Sequence, residues 1–122
     1  MTAAPIPDDE EARLLALERC AILDTAAEPL YDELTALAAR ICAMPVAAIT
    51  LVDRHRQWFK SRIGVQVPET PRSLSACAHT MLGDGPMVCE DALQDERFHD
   101  NPLVGPERNR FYAGVPLRLA GG

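Results

Sequence analysis

Between Pro29 and Pro45 the apolar residues Leu30, Leu34, Leu37 and Ile41 recur at intervals of 4, 3 and 4. That spacing is one stripe of a 3.6-residue helix, and it predicts a helix whose leucine face packs in the core. Pro29 suits a first helical turn, where the missing N–H has no partner to lose, and Pro45 lies just past the end. The period then changes. In PVAAITLVD, Val46, Ala48 and Val52 fall on one face of a strand, and Ala47, Ile49 and Leu51 on the other. Two apolar faces predict a strand inside a sheet that is covered on both sides.

The rest of the chain is arranged around this pair. Residues 1–7 carry two prolines and little pattern, and read as a flexible lead-in. Asp8 or Asp9 can cap a first helix with Glu10 and Glu11 in its first turn and Leu14, Leu15 and Leu17 on its apolar face. Ala21–Ala27 reads as a connector. Asp53–Arg56 is a polar turn, and QWFKSRIG returns as a second strand, with Trp58, Lys60 and Arg62 opposite Phe59, Ser61 and Ile63. That alternation predicts a half-exposed strand near a sheet edge, ended by Gly64. VQVPETPRS reads as loop, since Pro68 and Pro71 exclude a regular helix. Ser73 or Ser75 can cap a short helix SACAHTML, and PMVCEDA is a brief third strand. Leu93–Glu107 is a long irregular connection with one turn at Asp95–Phe98, and RFYAGVPLRL is a fourth strand.

Composition narrows the function. A chain of 122 residues with 48% hydrophobic and 25% charged residues can bury a core as one domain without metal or disulfide staples. Its formal charge of −6 argues against nucleic acid as the main partner, because phosphate binding wants a basic field. The apolar run Ile41–Val52 is too short to span a bilayer, so no membrane partner is expected. The acidic start MTAAPIPDDEEARLL is unlike a basic leader, and predicts a cytoplasmic protein. Cys20, Cys42, Cys77 and Cys89 are scattered among apolar or small residues without a C-x-x-C pair. Free thiols, mostly buried, are expected.

In this order the segments resemble a GAF domain, a PAS-related fold. The likeness is to the bacterial subgroup at the N-terminus of histidine kinases and of diguanylate cyclases and phosphodiesterases. It is carried by EEARLLALERCAILDTAAEPLYDELTALAARIC, AAITLVDRHRQWFKSRIGVQVPETPRSLSACAHTML, MVCEDALQDERFHDNPLV and RFYAGVPL, from Glu10 to Leu119. The resemblance implies an α+β fold, a central antiparallel sheet with helices packed on it, and loops and short helices that close over a small pocket. It implies a sensory or dimerising module that passes a signal to a downstream kinase or cyclic-di-GMP output domain. Relatives bind cyclic nucleotides, bilins, haem or metabolites, so membership implies the fold more firmly than the ligand. The family also continues past FYAGVPL with further strands and a closing helix. Residues 8–122 are therefore expected to be a GAF domain that lacks its last strands and C-terminal helix. In the family the next strand would lie between those matching Val46–Val52 and Phe111–Leu119.

Three functions follow. The first is a regulatory module that binds a small ligand, dimerises, or both; the second is an interaction module without a ligand. The third is a thiol enzyme resembling free-methionine-sulfoxide reductases, for which Cys77 and Cys89, flanking a single turn, are the candidate pair. No catalytic residues are expected for the first two. The ligand-binding candidates are Arg72, Ser75, Cys77, His79, Phe98, Phe111 and Tyr112. Arg72 opens the segment holding Cys77, where a guanidinium suits a carboxylate or phosphate, or an ion pair with Asp91 or Asp95. Bilin-binding relatives carry adjacent Cys and His; here Ala78 separates Cys77 from His79, and helical neighbours two apart point about 200° apart. Bilin is therefore not expected, haem ligation by His79 is supported by no motif, and the cofactor stays unassigned. His55, His79 and His99 are too dispersed for a metal site, and Asp91, Asp95, Glu96 and Asp100 lack a calcium-loop pattern. Arg54, Arg56, Trp58, Lys60 and Arg62 form a basic edge, a candidate for partner docking if not plain solvated strand.

Overall fold

The computed structural model describes residues 3–95, 97–98 and 111–117, Leu93 by its backbone alone. Glu96, His99, Asp100 and the ends of the fourth predicted strand lie outside the described residues. The chain divides into two compact units, Asp8–Thr70 and the described parts of Met1–Pro7 with Pro71–Gly122.

In the first unit, α1 spans Glu10–Cys20 and α2 spans Pro29–Cys42. Asp9 stands at the N-cap of α1 without a side-chain capping bond. Instead Arg13 bonds the Glu10 carboxylate and the Val52 carbonyl, tying the helix to the sheet. Leu17 is buried, whereas Leu15 is 47% exposed. Both helices end on alanines in the left-handed region, Ala21 and Ala43. Strand β1, Ala47–Val52, pairs antiparallel with β2, Arg56–Ile63, and β3, Glu69–Pro71, lies on the far side of β2. The loop expected around Pro68 is thus partly strand. Phe59 N–H donates to the Pro68 carbonyl at 3.0 Å, and an edge strand tolerates prolines because its outer N–H groups pair with nothing in the sheet.

Two expectations are corrected here. β2 is central in this sheet and buried from Gln57 to Ser61, while β1 occupies an edge among the described residues. The order follows from β3, which lies along the other side of β2, and the burial pattern has a local reason. Ile49 pairs with Ser61 but Thr50 pairs with Phe59, so Lys60 is an extra residue in β2, a β-bulge. A bulge shifts the alternation of faces on one strand against the other, which a strict period of two cannot register. The second correction concerns α2, which packs on β1 and β2 through the side carrying Thr35, 2% exposed, with Tyr31 and Ala39 half-buried one turn to either side. The predicted core stripe faces solvent instead. Leu30, Leu34, Leu37 and Ile41 are between 45% and 74% exposed.

In the second unit a 3-10 turn at Arg72–Leu74 leads into α3, Ala76–Thr80. Ser75 caps α3, its hydroxyl accepting from Ala78 N–H at 3.1 Å, as the sequence suggests for this position. Strand β4, Met87–Cys89, pairs antiparallel with β5, Tyr112–Gly114, and a 3-10 turn covers Ala92–Gln94. The Phe98 N–H closes the expected turn on the Asp95 carbonyl. Cys89, Ala92 and Phe98 form the core of this unit, with Ala76, Met87 and Tyr112 packed against them.

Candidate functional site

The chemistry-bearing side chains of the second unit converge on Tyr112. Its hydroxyl lies 2.6 Å from Thr80 Oγ1 and donates to Cys77 Sγ at 3.4 Å. A phenol has one proton, so with that proton directed at the Cys77 sulfur it is Thr80 that donates to the Tyr112 oxygen. The space for the phenol is made by Gly114, two residues along β5 on the same face. A Cβ on Gly114 would collide with the Tyr112 hydroxyl and sit 3.1 Å from Thr80 Oγ1. Burial, reinforced by the neighbouring Cys77, pushes the Tyr112 hydroxyl well above the usual phenol range. It is a neutral hydrogen-bonding group at any physiological pH.

Phe98 forms the floor. It is 2% exposed, meets the His79 ring edge-on at 5.3 Å and the Tyr112 ring at 6.3 Å, and carries the Arg97 guanidinium 4.9 Å above it. Arg97 is fixed by Asp95, through Nε at 3.0 Å and Nη2 at 2.8 Å, and its Nη1 reaches the Met87 sulfur. The guanidinium holds the Asp95 carboxyl well below the usual carboxylate range. Cys89 donates to the same carboxylate at 3.6 Å, and burial with the Asp95 charge pushes its thiol up. A thiol so placed resists becoming the thiolate that attack requires, which weighs against the reductase reading.

Of the seven ligand-binding candidates, Cys77, His79, Phe98 and Tyr112 are brought together. Ser75 is spent on capping α3, Arg72 is 8% exposed at the start of the preceding turn, and Phe111 is 42% exposed beside β5. Thr80, Gly114 and Arg97 were missed by the sequence reading. The glycine within FYAGVP is the signal that could have shown the first two, since a strand glycine marks a close approach; no sequence signal marks Arg97.

The basic edge of the first unit is not an open patch. Trp58 is 7% exposed and Lys60 is 4% exposed. Arg54 pairs with both Glu11 oxygens at 2.8 and 3.0 Å, and Arg56 spans Asp24, Asp53 and Glu69. Arg62 is exposed and bonds the Val65 carbonyl. Among the described residues no group of three His, Cys, Asp or Glu side chains is placed to hold a metal ion, and no helix is long and apolar enough to cross a membrane.

The chain has α+β character, with an aromatic, hydroxyl and thiol cluster on a short helix and a two-stranded sheet. The chain belongs to the GAF domain family, whose model matches residues 9–122. It is also 41% identical over 123 aligned residues to a cyclic di-GMP phosphodiesterase of Pseudomonas aeruginosa. That match takes in all of this chain and 21% of the relative, so the chain spans about a fifth of the length of the protein it matches.

Proposed function

We propose that this GAF domain is the regulatory module of a longer cytoplasmic protein of cyclic-di-GMP signalling, in which a small ligand bound at the Tyr112 cluster controls a separate output domain. The observation that carries the reading is the meeting of Cys77, Thr80, Phe98 and Tyr112 around one buried hydroxyl. Hydroxyl and thiol groups beside aromatic rings are the chemistry that suits a ligand with one polar and one apolar part. The test is native mass spectrometry of the full-length parent protein purified from its own host. A discrete bound mass, lost in a Tyr112→Phe/Thr80→Val variant, supports the reading; a bound mass indifferent to those changes, or none, overturns it.

Dimerisation is the second reading, and the exposed stripe of α2 favours it. Four large aliphatic side chains on one helix face form a patch of the kind that marks an interaction surface. In a longer GAF protein the edge of β1 and this stripe would meet the family's remaining strands and helix, or a second copy. Sedimentation of the parent protein, with and without Leu34→Gln and Ile41→Gln, separates a dimer built on the stripe from one built elsewhere.

A further inference from the structure

The connector between α1 and α2, residues 21–28, is fastened to the sheet in an unusual way. Its exposed surface is large: among these eight residues only Ile22 and Leu23 are half-buried. Beneath those two, a groove of about 450 Å³ opens between α1 and the Asp53–Arg54 turn, with Leu14 and Leu17 on its wall. The segment is therefore not held by close apolar packing. Its backbone is also bent, with Ala21 and Asp24 both in the left-handed region that non-glycine residues avoid.

What holds it is a lysine. The Lys60 side chain is completely buried, and its ammonium meets Glu28 Oε2 at 2.6 Å, Thr25 Oγ1 at 2.7 Å and the Ala26 carbonyl at 2.6 Å. Those three acceptors use its three protons. The ring of Tyr31, at 5.4 Å, lies on the same ammonium. Lys60 is the bulged residue of β2, and bulges recur where a strand must re-aim one side chain. One turn of the connector earlier, the exposed Asp24 carboxylate takes two bonds from Arg56. Both anchors are cations of the central strand, and both acids belong to the connector.

We infer that residues 21–28 form a strap that opens as a unit while the sheet stays folded, with Lys60 as its latch. The Lys60 ammonium is fully buried although its partner Glu28 is exposed, whereas both Arg56 and Asp24 reach solvent, so the first contact governs closure and the second is the more strongly screened by salt. Opening the strap exposes Arg56 and Lys60 and frees the start of α2 from α1. It does so without disturbing the links of α1 to the sheet through Arg13 and Arg54.

The chain offers a direct readout, because Lys60 is its sole lysine. Acylation of the folded protein with a water-soluble succinimidyl ester, followed by peptide mass spectrometry, reports exposure of that one side chain, with the N-terminal amine as internal control. Hydrogen exchange of the β1–β2 ladder amides is measured in parallel. Lys60 is expected to label roughly ten- to a hundredfold more slowly than a free lysine peptide, the range set by charge-assisted hydrogen bonds. Glu28→Gln, a change at an exposed residue, is expected to accelerate Lys60 severalfold while the ladder amides keep their protection; Asp24→Asn should do so only slightly. Labelling that follows the ladder amides step for step means that the strap opens only with the whole unit, and overturns the inference. An unchanged rate in Glu28→Gln overturns the latch.

Discussion

Thr35 and Leu34 are neighbours on α2 whose structural roles run against their chemistry, and exchanging their properties tests the packing of the helix. Leu34 is 50% exposed and Thr35 is 2% exposed. Full burial of a leucine side chain stabilises a fold by about 1.5–3 kcal/mol, so a half-exposed one contributes about 1 kcal/mol. Leu34→Gln keeps helix propensity nearly unchanged and retains the aliphatic stem, and should cost less than about 1 kcal/mol. Thr35→Leu is the reverse case. The threonine fits between α2 and the sheet with its hydroxyl returned to the Tyr31 carbonyl at 3.0 Å, and a larger side chain has no room. Overpacking of this kind costs about 1–3 kcal/mol. With roughly 4 °C in Tm for each kcal/mol at this chain length, the threonine variant should melt several degrees below the leucine variant. Thermal unfolding by circular dichroism, repeated after dilution to remove any self-association, gives the order. A greater loss from Leu34→Gln than from Thr35→Leu would refute the orientation of α2 described here.

Gly64 has φ +76°, and a Cβ there would strike the Pro45 carbonyl oxygen. Gly64→Ala should therefore destabilise by more than about 2 kcal/mol in urea titration, and an unchanged midpoint would remove the argument. Thiol labelling should find Cys20 and Cys42 fast, because both are exposed, and Cys89 slowest, because it is buried with its thiol pushed up. Equal rates for Cys89 and Cys20 would contradict its placement against Asp95. The Asp95 carboxyl is held below its ordinary value by Arg97, so it binds a proton less readily folded than unfolded. The stability from that pair is complete at neutral pH and is lost as pH falls below about 4, toward the lowered folded value. Asp95→Asn should flatten the acid limb of the stability curve, and parallel limbs for variant and wild type would show that the pair contributes nothing.

Much of what local chemistry decides was legible in the sequence, although the capping bond expected at the start of α1 does not form. Pro29 and the periodic leucines placed α2, the serines before α3 predicted its cap, with Ser75 the one of the two that forms it, and the turn at Asp95–Phe98 was legible from its polar residues. The GAF family followed from the order of whole segments. At the candidate site, Cys77, His79, Phe98 and Tyr112 could be named from sequence. Their meeting through Thr80 and Gly114 could not, because it depends on pairing β4 with β5 across a long connection.

The helix of the opening argument marks the division most clearly. Periodicity alone determined that Pro29–Cys42 is helical and has an aliphatic stripe. It could not determine which side of the helix meets the sheet, since hydrophobicity identifies a surface that gains from being covered and says nothing of what covers it. Here the sheet meets the side with Thr35, flanked by Tyr31 and Ala39, and the leucines face outward. The same holds for Lys60. A strand of period two assigned it to a half-exposed face, whereas one extra residue opposite Ile49 and Thr50 turned it into a buried charge under the connector. A bulge is a property of two paired strands, and only their register, set in the folded unit, brings it into being.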